Sequence, residues 1–261
     1  MKSNDRVYIN SNSKFDYLLD DKFLNLITNL HDKFSERVYG VREERLNSIT
    51  KASKSQTNFE KSEKNIPSEW KINNIPDELK IPGIEISGPA HITPMFINAI
   101  NPGPDGQRAI GYLDDDEDSA SHRLNDTLNA AENRKKAVDR TLNYYDQSKQ
   151  KNYEISDGTL PFFMHRERGL HLDEKDVLID GNPISATLFS TALTLYNAGQ
   201  SQSERNQGIY FYIPKTESEK ETKLYKDIFD EVRNDVKNLN DATIRAIILV
   251  ESFPIIWSME E

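Results

Sequence analysis

Residues 209–250 read IYFYIPKTESEKETKLYKDIFDEVRNDVKNLNDATIRAIILV, and this stretch indicates the fold class. It begins with the apolar run Ile209–Ile213, which is typical of a buried strand. In the segment that follows, apolar residues recur four positions apart and predict a helix: Leu224, Ile228, Val232 and Val236. Thr216, with Glu219 three residues later, predicts a capping box at the start of that helix. A second apolar run, Ile244–Val250, completes a strand–helix–strand unit.

The same alternation is found upstream, from Gly83 onward. Three further candidate strands are Ile84–Ser87, Arg108–Leu113 and Leu160–His165, and one face of a further helix carries Ile184, Leu188 and Leu195. Strands that alternate with helices predict parallel β/α units, arranged as an open sheet or as part of a barrel. An eight-stranded barrel takes ~250 residues, whereas about 180 follow Gly83. The α/β fold expected is therefore an incomplete barrel of about five units.

The first 66 residues have a different pattern. Apolar residues spaced three or four apart predict a packing helix over residues 15–46. Residues 47–66 are rich in Ser, Lys, Asn and Glu and predict a linker. The predicted domains are a helical segment with its linker (1–66) and a barrel part (67–261).

Composition excludes several classes of function. The formal net charge is -10, and no basic stripe is present, so nucleic acid is not an expected partner. No apolar run approaches the ~18 residues of a membrane span, and the polar start, Met1–Lys14, contains no apparent signal peptide. The absence of cysteine removes disulfides and thiolate chemistry. It also fits a reducing compartment, so a cytoplasmic location is expected.

Polar residues follow the candidate strands at the positions where each strand ends. They are Asp114–Asp118, Arg166 to Arg168, Lys215 and Glu251. In parallel β/α folds the carboxyl ends of the strands line the active site, so these groups are expected at one mouth. Each also has a structural interpretation. The acids suit a solvated turn, the arginines suit structural ion pairs, and Lys215 suits an ordinary surface position.

Glu251 is the strongest of these candidates. It directly follows Ile247–Val250, a run of the buried type, where a carboxylate is costly unless it is paired or binds a cation. Carboxylate oxygens of this kind suit Mg²⁺. The five histidines have no HExxH spacing, and no Walker loop, GxSxG elbow or GxGxxG turn is present. Carboxylate and arginine chemistry is what remains.

Several segments, in the same order and with similar spacing, resemble the malate synthase A type. Phe163–Lys175 resembles its R-x-R-G-[WL]-H-L-x-E-K segment, and Tyr210–Lys215 resembles Y-F-Y-L-P-K. The other matching segments are Trp70–Ile72 with Ile75-Pro76 and Glu85–Pro89, Ile97–Asn101, Glu117–Ser119, and Ile248–Glu251. The resemblance covers nearly the whole chain and suggests the N-terminal half of such an enzyme.

The resemblance implies a TIM barrel and an acyltransferase of the glyoxylate cycle. Acetyl-CoA condenses with glyoxylate, and thioester hydrolysis gives malate and CoA. Arg166 is then expected to bind substrate and stabilise the enolate. Glu251 is expected to bind substrate through Mg²⁺ as a metal ligand, and Arg168 is expected to orient acids around the site.

The chain also departs from the family pattern. Asp114-Asp115-Asp116 replaces part of the usual A-D-F, Asp176 replaces a usual His, and Ser190 replaces a common Asp. The family's G-R-W-D-Y segment, which resembles the source of a second metal carboxylate, and its distant catalytic aspartate are not found in this sequence. The chain alone is therefore expected to be incomplete for catalysis.

Three interpretations remain open from the sequence. A second chain could supply the missing half, or the chain could be a non-catalytic remnant or interaction module of the same fold. A weaker alternative is another Mg²⁺-dependent TIM-barrel lyase or aldolase, against which the arginine segment argues. Peroxisomal members of the family carry their address at the C-terminus. A peroxisomal or glyoxysomal location is the alternative if that segment is missing here.

Overall fold

The computed structural model describes residues 2–3, 5–56, 69, 71 and 73–260. The strands in this part are β1 (Lys2–Ser3), β2 (Val7–Ile9), β3 (Glu85–Gly88), β4 (Gly111–Asp115), β5 (Asn143–Asp146), β6 (Lys151–Glu154), β7 (Phe162–Arg166), β8 (Asp173–Ile179), β9 (Asn182–Ser185), β10 (Ile209–Ile213) and β11 (Ile244–Ile248). The α-helices are α1 (Asp21–Ser53), α2 (Thr93–Ile100), α3 (Leu124–Val138), α4 (Ala186–Thr194), α5 (Gln200–Glu204), α6 (Glu219–Asp235) and α7 (Phe253–Ile256).

A parallel sheet of five strands forms the centre of the fold, in the order β11-β10-β7-β4-β3. It contains all five strands predicted from the sequence, with ends shifted by a few residues. Helices alternate with these strands along the chain. The fold is an incomplete α/β barrel preceded by an N-terminal helix, as predicted.

The two faces of the sheet have different roles. On one face, Tyr112 of β4 and Phe163 of β7 pack with Phe96 of α2 in a buried cluster. Phe211 of β10 packs against Phe229 of α6 on the same side, with ring centroids 4.7 Å apart. Because side chains alternate along a strand, the residues between these, such as Asp115, face the barrel interior. At the carboxyl ends of the strands, polar side chains such as that of Asp115 therefore point into the barrel, while apolar side chains on the opposite face of the sheet pack against the helices.

Helix α1 covers the outside of the barrel units. Asp20 caps it by accepting from the backbone N–H of Phe23 at 2.9 Å, and its buried stripe packs on α4 and α6. The predicted helix is present, although residues 13–18 form a separate 3₁₀ turn. No described helix has both the length and the apolar composition needed to cross a membrane.

The linker prediction was wrong for residues 47–53, which continue α1. These residues include no Pro or Gly that would end a helix. Residues 57–66 of the linker, and Trp70 and Ile72 of the family-like W-K-I segment, lie outside the described residues. The domain division near residue 66 stays a prediction for the same reason.

Two local predictions were also wrong. Ile184 lies in β9 and not on a helix, because residues 173–185 form a hairpin. Asp180 and Gly181 at its turn both have positive φ, as a type I′ turn requires. Helix α6 has Ser218 at its N-cap, with no side-chain capping bond. Thr216 is instead buried before the helix, so the capping box is absent.

A second, antiparallel sheet was not predicted. Its order is β1-β2-β8-β9, so strands from the chain's start pair with the β8–β9 hairpin. Arg6 and Asp180, which bridge the two segments, form a salt bridge at 2.5 Å. The pairing joins residues more than 160 positions apart, which local patterns do not reveal.

Candidate active site

Arg166, Lys215 and Glu251 lie at the same end of the parallel sheet, as predicted. Arg166 ends β7, Lys215 follows β10, and Glu251 follows β11. Both cations contact Asp118: Arg166 Nη1 lies 3.2 Å from one carboxylate oxygen and Lys215 Nζ lies 3.1 Å from the other. The backbone N–H of Lys215 donates to Glu251 Oε1 at 2.6 Å. The three residues therefore belong to one connected polar mouth.

Arg166 is held by a two-point contact with Asp115. Its Nε and Nη2 donate to the two carboxylate oxygens at 2.8 and 2.6 Å. Burial opposes ionisation of Asp115, but Arg166 and Ser119 lower its pKa to about 2. The guanidinium Cζ lies 6.0 Å from the ring centroid of Tyr212. The ion pair anticipated for Arg166 is present, and the remaining nitrogen, Nη1, is directed at the half-exposed end of the mouth.

Asp115 also organises the turn that follows it. Its carboxylate accepts from the backbone N–H groups of Glu117, Asp118 and Ser119 at 3.0, 3.1 and 3.0 Å. The Ser119 hydroxyl donates to it at 2.5 Å. Asp115 is therefore the central acceptor of the mouth, because it fixes both Arg166 and the acidic turn.

The solvated-turn interpretation of the acidic run was wrong. Asp114, Asp115, Asp116 and Glu117 are all at most 4% exposed. The reason is that β4 extends through Asp115, and Asp116 continues the backbone pairing by donating to the carbonyl of Arg166 at 3.0 Å. Asp118, by contrast, is 57% exposed along its side chain. The sequence signal for this site was the Glu117–Ser119 segment within the family-like pattern.

Lys215 places its ammonium among the acids. Nζ lies 2.5 and 2.6 Å from the two oxygens of Glu117, and its side chain is 38% exposed. Burial raises the pKa of Glu117, whereas contact with Glu117 and Lys215 lowers the pKa of the more exposed Asp118. Lys215 also has φ of 51°, in the left-handed region that is costly for a side-chain-bearing residue. The expectation of an ordinary surface lysine was therefore wrong, since Lys215 is a contact of the mouth.

The premise that placed Glu251 in a buried environment was wrong. Ile247 and Val250 are 37% and 44% exposed, and Glu251 is exposed as well. The reason is that β11 is an edge strand of the described sheet, with a partner on one side. Burial therefore does not support a metal-binding role for Glu251. The support that remains for its place in the mouth is its contact with the backbone N–H of Lys215.

The described residues do not by themselves suit Mg²⁺. No group of three or more His, Cys, Asp or Glu side chains in this part of the chain is arranged to hold a metal ion. Glu251 offers one carboxylate, and the nearby carboxylate of Glu117 is occupied by the Lys215 ammonium. A Mg²⁺ ion needs several fixed oxygens before it gives up water. Further ligands would have to come from outside the described residues.

Two buried arginines lie near the mouth without facing it. Arg168 forms an ion pair with Glu174 at 2.7 Å, and both are nearly inaccessible. This is the structural ion pair anticipated for an arginine of this segment. Arg134 of α3 contacts Asp114 and Asp116 at 2.6 and 3.0 Å from behind the sheet. No pattern in the sequence marked Arg134, because it lies in a polar helix that was not predicted.

Two histidines that the sequence did not single out lie near the mouth. His122, with φ of 57°, contacts the backbone carbonyl of Glu117. His122 therefore adds a side-chain contact to the acidic turn. Partial desolvation, together with the nearby cations Arg45 and Lys215, lowers the pKa of His171.

Comparison with known proteins confirms the resemblance found in the sequence. Residues 162–261 match the family model of the malate synthase TIM barrel domain. The chain is 36% identical to a glyoxysomal malate synthase of Candida tropicalis over 178 residues, covering 68% of this chain and 31% of that protein. It is 31% identical to the glyoxysomal malate synthase of Cucurbita maxima (74% and 33% covered) and 33% identical to malate synthase A of Escherichia coli (74% and 34% covered). The chain thus spans about a third of the length of these relatives.

Proposed function

We propose that this chain, similar to malate synthases over about 70% of its length, forms part of the active site for condensation of acetyl-CoA with glyoxylate to malate and CoA. The observation that carries the proposal is the connected mouth. Arg166, Lys215 and Glu251 lie together at the carboxyl ends of the strands, in segments that resemble the family's own.

Arg166 is the proposed catalytic residue. The reaction removes a proton from the acetyl methyl group, and the carbonyl oxygen of the thioester then gains negative charge. Two nitrogens of Arg166 are fixed by Asp115, which leaves Nη1 beside the exposed Asp118. A guanidinium held in this way needs little reorganisation when the oxygen becomes charged. Its pKa is raised by the neighbouring acids, so it stays cationic.

The base and the metal are the proposed contributions of another segment. The family's catalytic aspartate and second metal carboxylate have no counterpart found in this sequence. We propose that a further polypeptide segment, on the same or a second chain, provides them, and that Glu251 is one Mg²⁺ ligand and substrate contact in the completed site. The described residues do not form a Mg²⁺ site by themselves, so the proposed ion would need ligands from that further segment.

A non-catalytic module of the same fold is the second candidate. The observation that favours it is the occupied mouth, since Lys215 neutralises Glu117 and Asp118, and Asp115 is committed to Arg166. In such a protein the ion pairs would serve stability alone. The two candidates differ in whether an added base restores turnover.

The proposed location is the cytoplasm. Several relatives are named glyoxysomal, so a peroxisomal location is the alternative. Acetyl-CoA and glyoxylate are the proposed partners, and neither nucleic acid nor a membrane is proposed as one. Fractionation of cells that express the tagged chain would separate the two locations.

Free-thiol release from acetyl-CoA with glyoxylate and Mg²⁺ tests the proposal. The assay compares the purified chain with the same chain fused to the segment that follows the matched region in Escherichia coli malate synthase A. We expect no glyoxylate-dependent release from the chain alone and clear release from the folded fusion. A folded fusion without turnover would favour the non-catalytic module. Turnover by the chain alone would show that a local acid acts as base, and loss of that turnover in Glu117→Gln would identify it.

A further inference from the structure

Behind the candidate site, Arg134 lies in a fully buried polar cluster. It projects from α3 toward the face of β4 that is opposite the mouth, and it is 1% exposed. A single nitrogen, Nη1, contacts Asp114 Oδ2 at 2.6 Å and Asp116 Oδ2 at 3.0 Å. The two acids are 0% and 2% exposed. One cation therefore bridges two carboxyl groups away from solvent.

These two acids flank the central acceptor of the mouth. Side chains alternate along a strand, so Asp114 and Asp116 point toward α3 while Asp115 points into the barrel. Asp115 in turn holds Arg166 and three backbone N–H groups of the acidic turn. An anchor on both neighbours fixes the backbone on either side of Asp115, and hence the direction of its side chain.

The cluster has other members, and they are weaker anchors. His165 of β7 contacts Asp114 and Gln202 at 3.4 Å each. Glu167 accepts from Thr194 of α4. Arg134 is the one guanidinium or ammonium that contacts Asp114 or Asp116 within the described part of the chain. Burial opposes ionisation of Asp114, but Arg134 and His165 hold its pKa below the ordinary value.

The arrangement lies outside the family-like pattern of this segment. Asp114 and Asp116 stand where the resembled A-D-F pattern has an apolar residue on each side of its Asp. Asp115 matches the Asp of that pattern, and its flanking acids do not. At the positions of Asp114 and Asp116, where the family pattern has uncharged side chains, this chain therefore has an ionic contact between β4 and α3.

We infer that Arg134 is a positioning residue for this site: by bridging Asp114 and Asp116 it sets the direction of Asp115, and through Asp115 it orients Arg166. The inference rests on the proposed function for the role of Arg166, but the orientation itself is independent of any substrate. If Arg134 served only the stability of the fold, its loss would destabilise the turn at residues 117–119 no more than the other parts of the chain.

Amide hydrogen exchange by NMR on the full chain separates these roles. The readouts are the N–H groups of Glu117, Asp118 and Ser119 and the Nε–H of Arg166, each measured relative to the slowest amides of α6. The variants are Arg134→Met and the neutral triple variant Arg134→Met/Asp114→Asn/Asp116→Asn. The triple variant removes the cation together with the two carboxylates that it contacts, so the stability cost of leaving these two carboxylates without their partner is avoided, and the variant stays informative if Arg134→Met does not fold.

Arg168→Met is the matched control. Arg168 is buried to the same degree, and among the described residues its carboxylate partner is Glu174, whereas it does not contact Asp114, Asp115 or Asp116. Its loss should lower global stability and leave the ratio of turn exchange to α6 exchange as in wild type.

In the triple variant we expect the turn amides and Arg166 Nε–H to exchange at least about tenfold faster relative to α6, as for a weakened hydrogen bond to a charged group. Wild-type ratios in the triple variant would overturn the inference, and so would an equal change in Arg168→Met. Because no substrate is used, either result is independent of whether the completed enzyme condenses acetyl-CoA with glyoxylate.

Discussion

Replacement of Arg134 by Met should be among the most destabilising single changes in this chain. The side chain is 1% exposed, and its two partners are 0% and 2% exposed. Met approximates the length of the aliphatic stem, so the change removes the charge with little loss of packing. The question is how much free energy of unfolding the unpaired acids cost.

Of the two acids that contact Arg134, one carries most of the buried negative charge. Burial and the carboxylates of Asp114 and Glu167 raise the pKa of Asp116 to about 8, so it is largely protonated at neutral pH. Asp114 is the acid that stays ionised beside Arg134. Leaving one buried charge without its partner costs about 3–5 kcal/mol. That is a large part of a typical total stability of ~5–15 kcal/mol.

Urea unfolding at pH 7, followed by circular dichroism, measures this loss. Arg134→Met should lower the free energy of unfolding by about 3–5 kcal/mol, and adding Asp114→Asn should restore most of it because the unpaired charge is then gone. A loss below about 1 kcal/mol, or a double variant as unstable as the single one, would refute the reasoning. The matched control Arg205→Ala removes an exposed ion pair with Asp139, which should cost at most about 1 kcal/mol.

For three further substitutions, the structure predicts the direction of the change in stability or pKa. The folded-state pKa of Asp116 is raised to about 8 from 3.8, so the free energy of unfolding of the wild type should fall as pH rises between these values. Asp116→Asn should flatten that slope in urea unfolding measured across this pH range. An unchanged slope would contradict the raised pKa of Asp116. A Cβ on Gly111 would lie 2.6 Å from Phe162 Cζ, so Gly111→Ala should lower the melting temperature because overpacking costs about 1–3 kcal/mol. An unchanged melting temperature would show that the Phe162 ring moves aside freely. Lys215→Met should raise the pKa of Glu117 further, because the ammonium now lowers it; a carboxyl ¹³C titration that shows a fall would be inconsistent with the contact.

The parallel sheet was predictable because its signals are local. β10 is a run of apolar residues between Gly208 and Pro214, and the four-residue spacing of Leu224, Ile228 and Val232 identifies α6. The antiparallel sheet was not predictable in this way, since β2 pairs with β8 far along the chain. The Asp180-Gly181 turn was a usable signal that was missed.

The site was partly predictable for the same reason. Arg166, Lys215 and Glu251 each follow a recognisable strand, so topology alone placed them together. The burial of these acids was not predictable, because five consecutive acids normally favour solvent. The cation that stabilises two of them, Arg134, comes from α3, a polar helix without a clear apolar stripe in the sequence. The exposure of Glu251 depends on β11 being an edge strand, which is a property of the whole sheet.

The most direct test of the central claim is the kcat of the folded fusion with and without Arg166. Thiol release from acetyl-CoA is followed with saturating glyoxylate for the fusion, its Arg166→Ala variant and the control Arg205→Ala. A positioned charge at the developing enolate is worth ~3–4 kcal/mol, so Arg166→Ala should lower kcat by about 10²–10³ while Arg205→Ala stays near wild type. A loss of less than tenfold in folded Arg166→Ala would contradict the claim and leave Arg166 as a structural partner of Asp115.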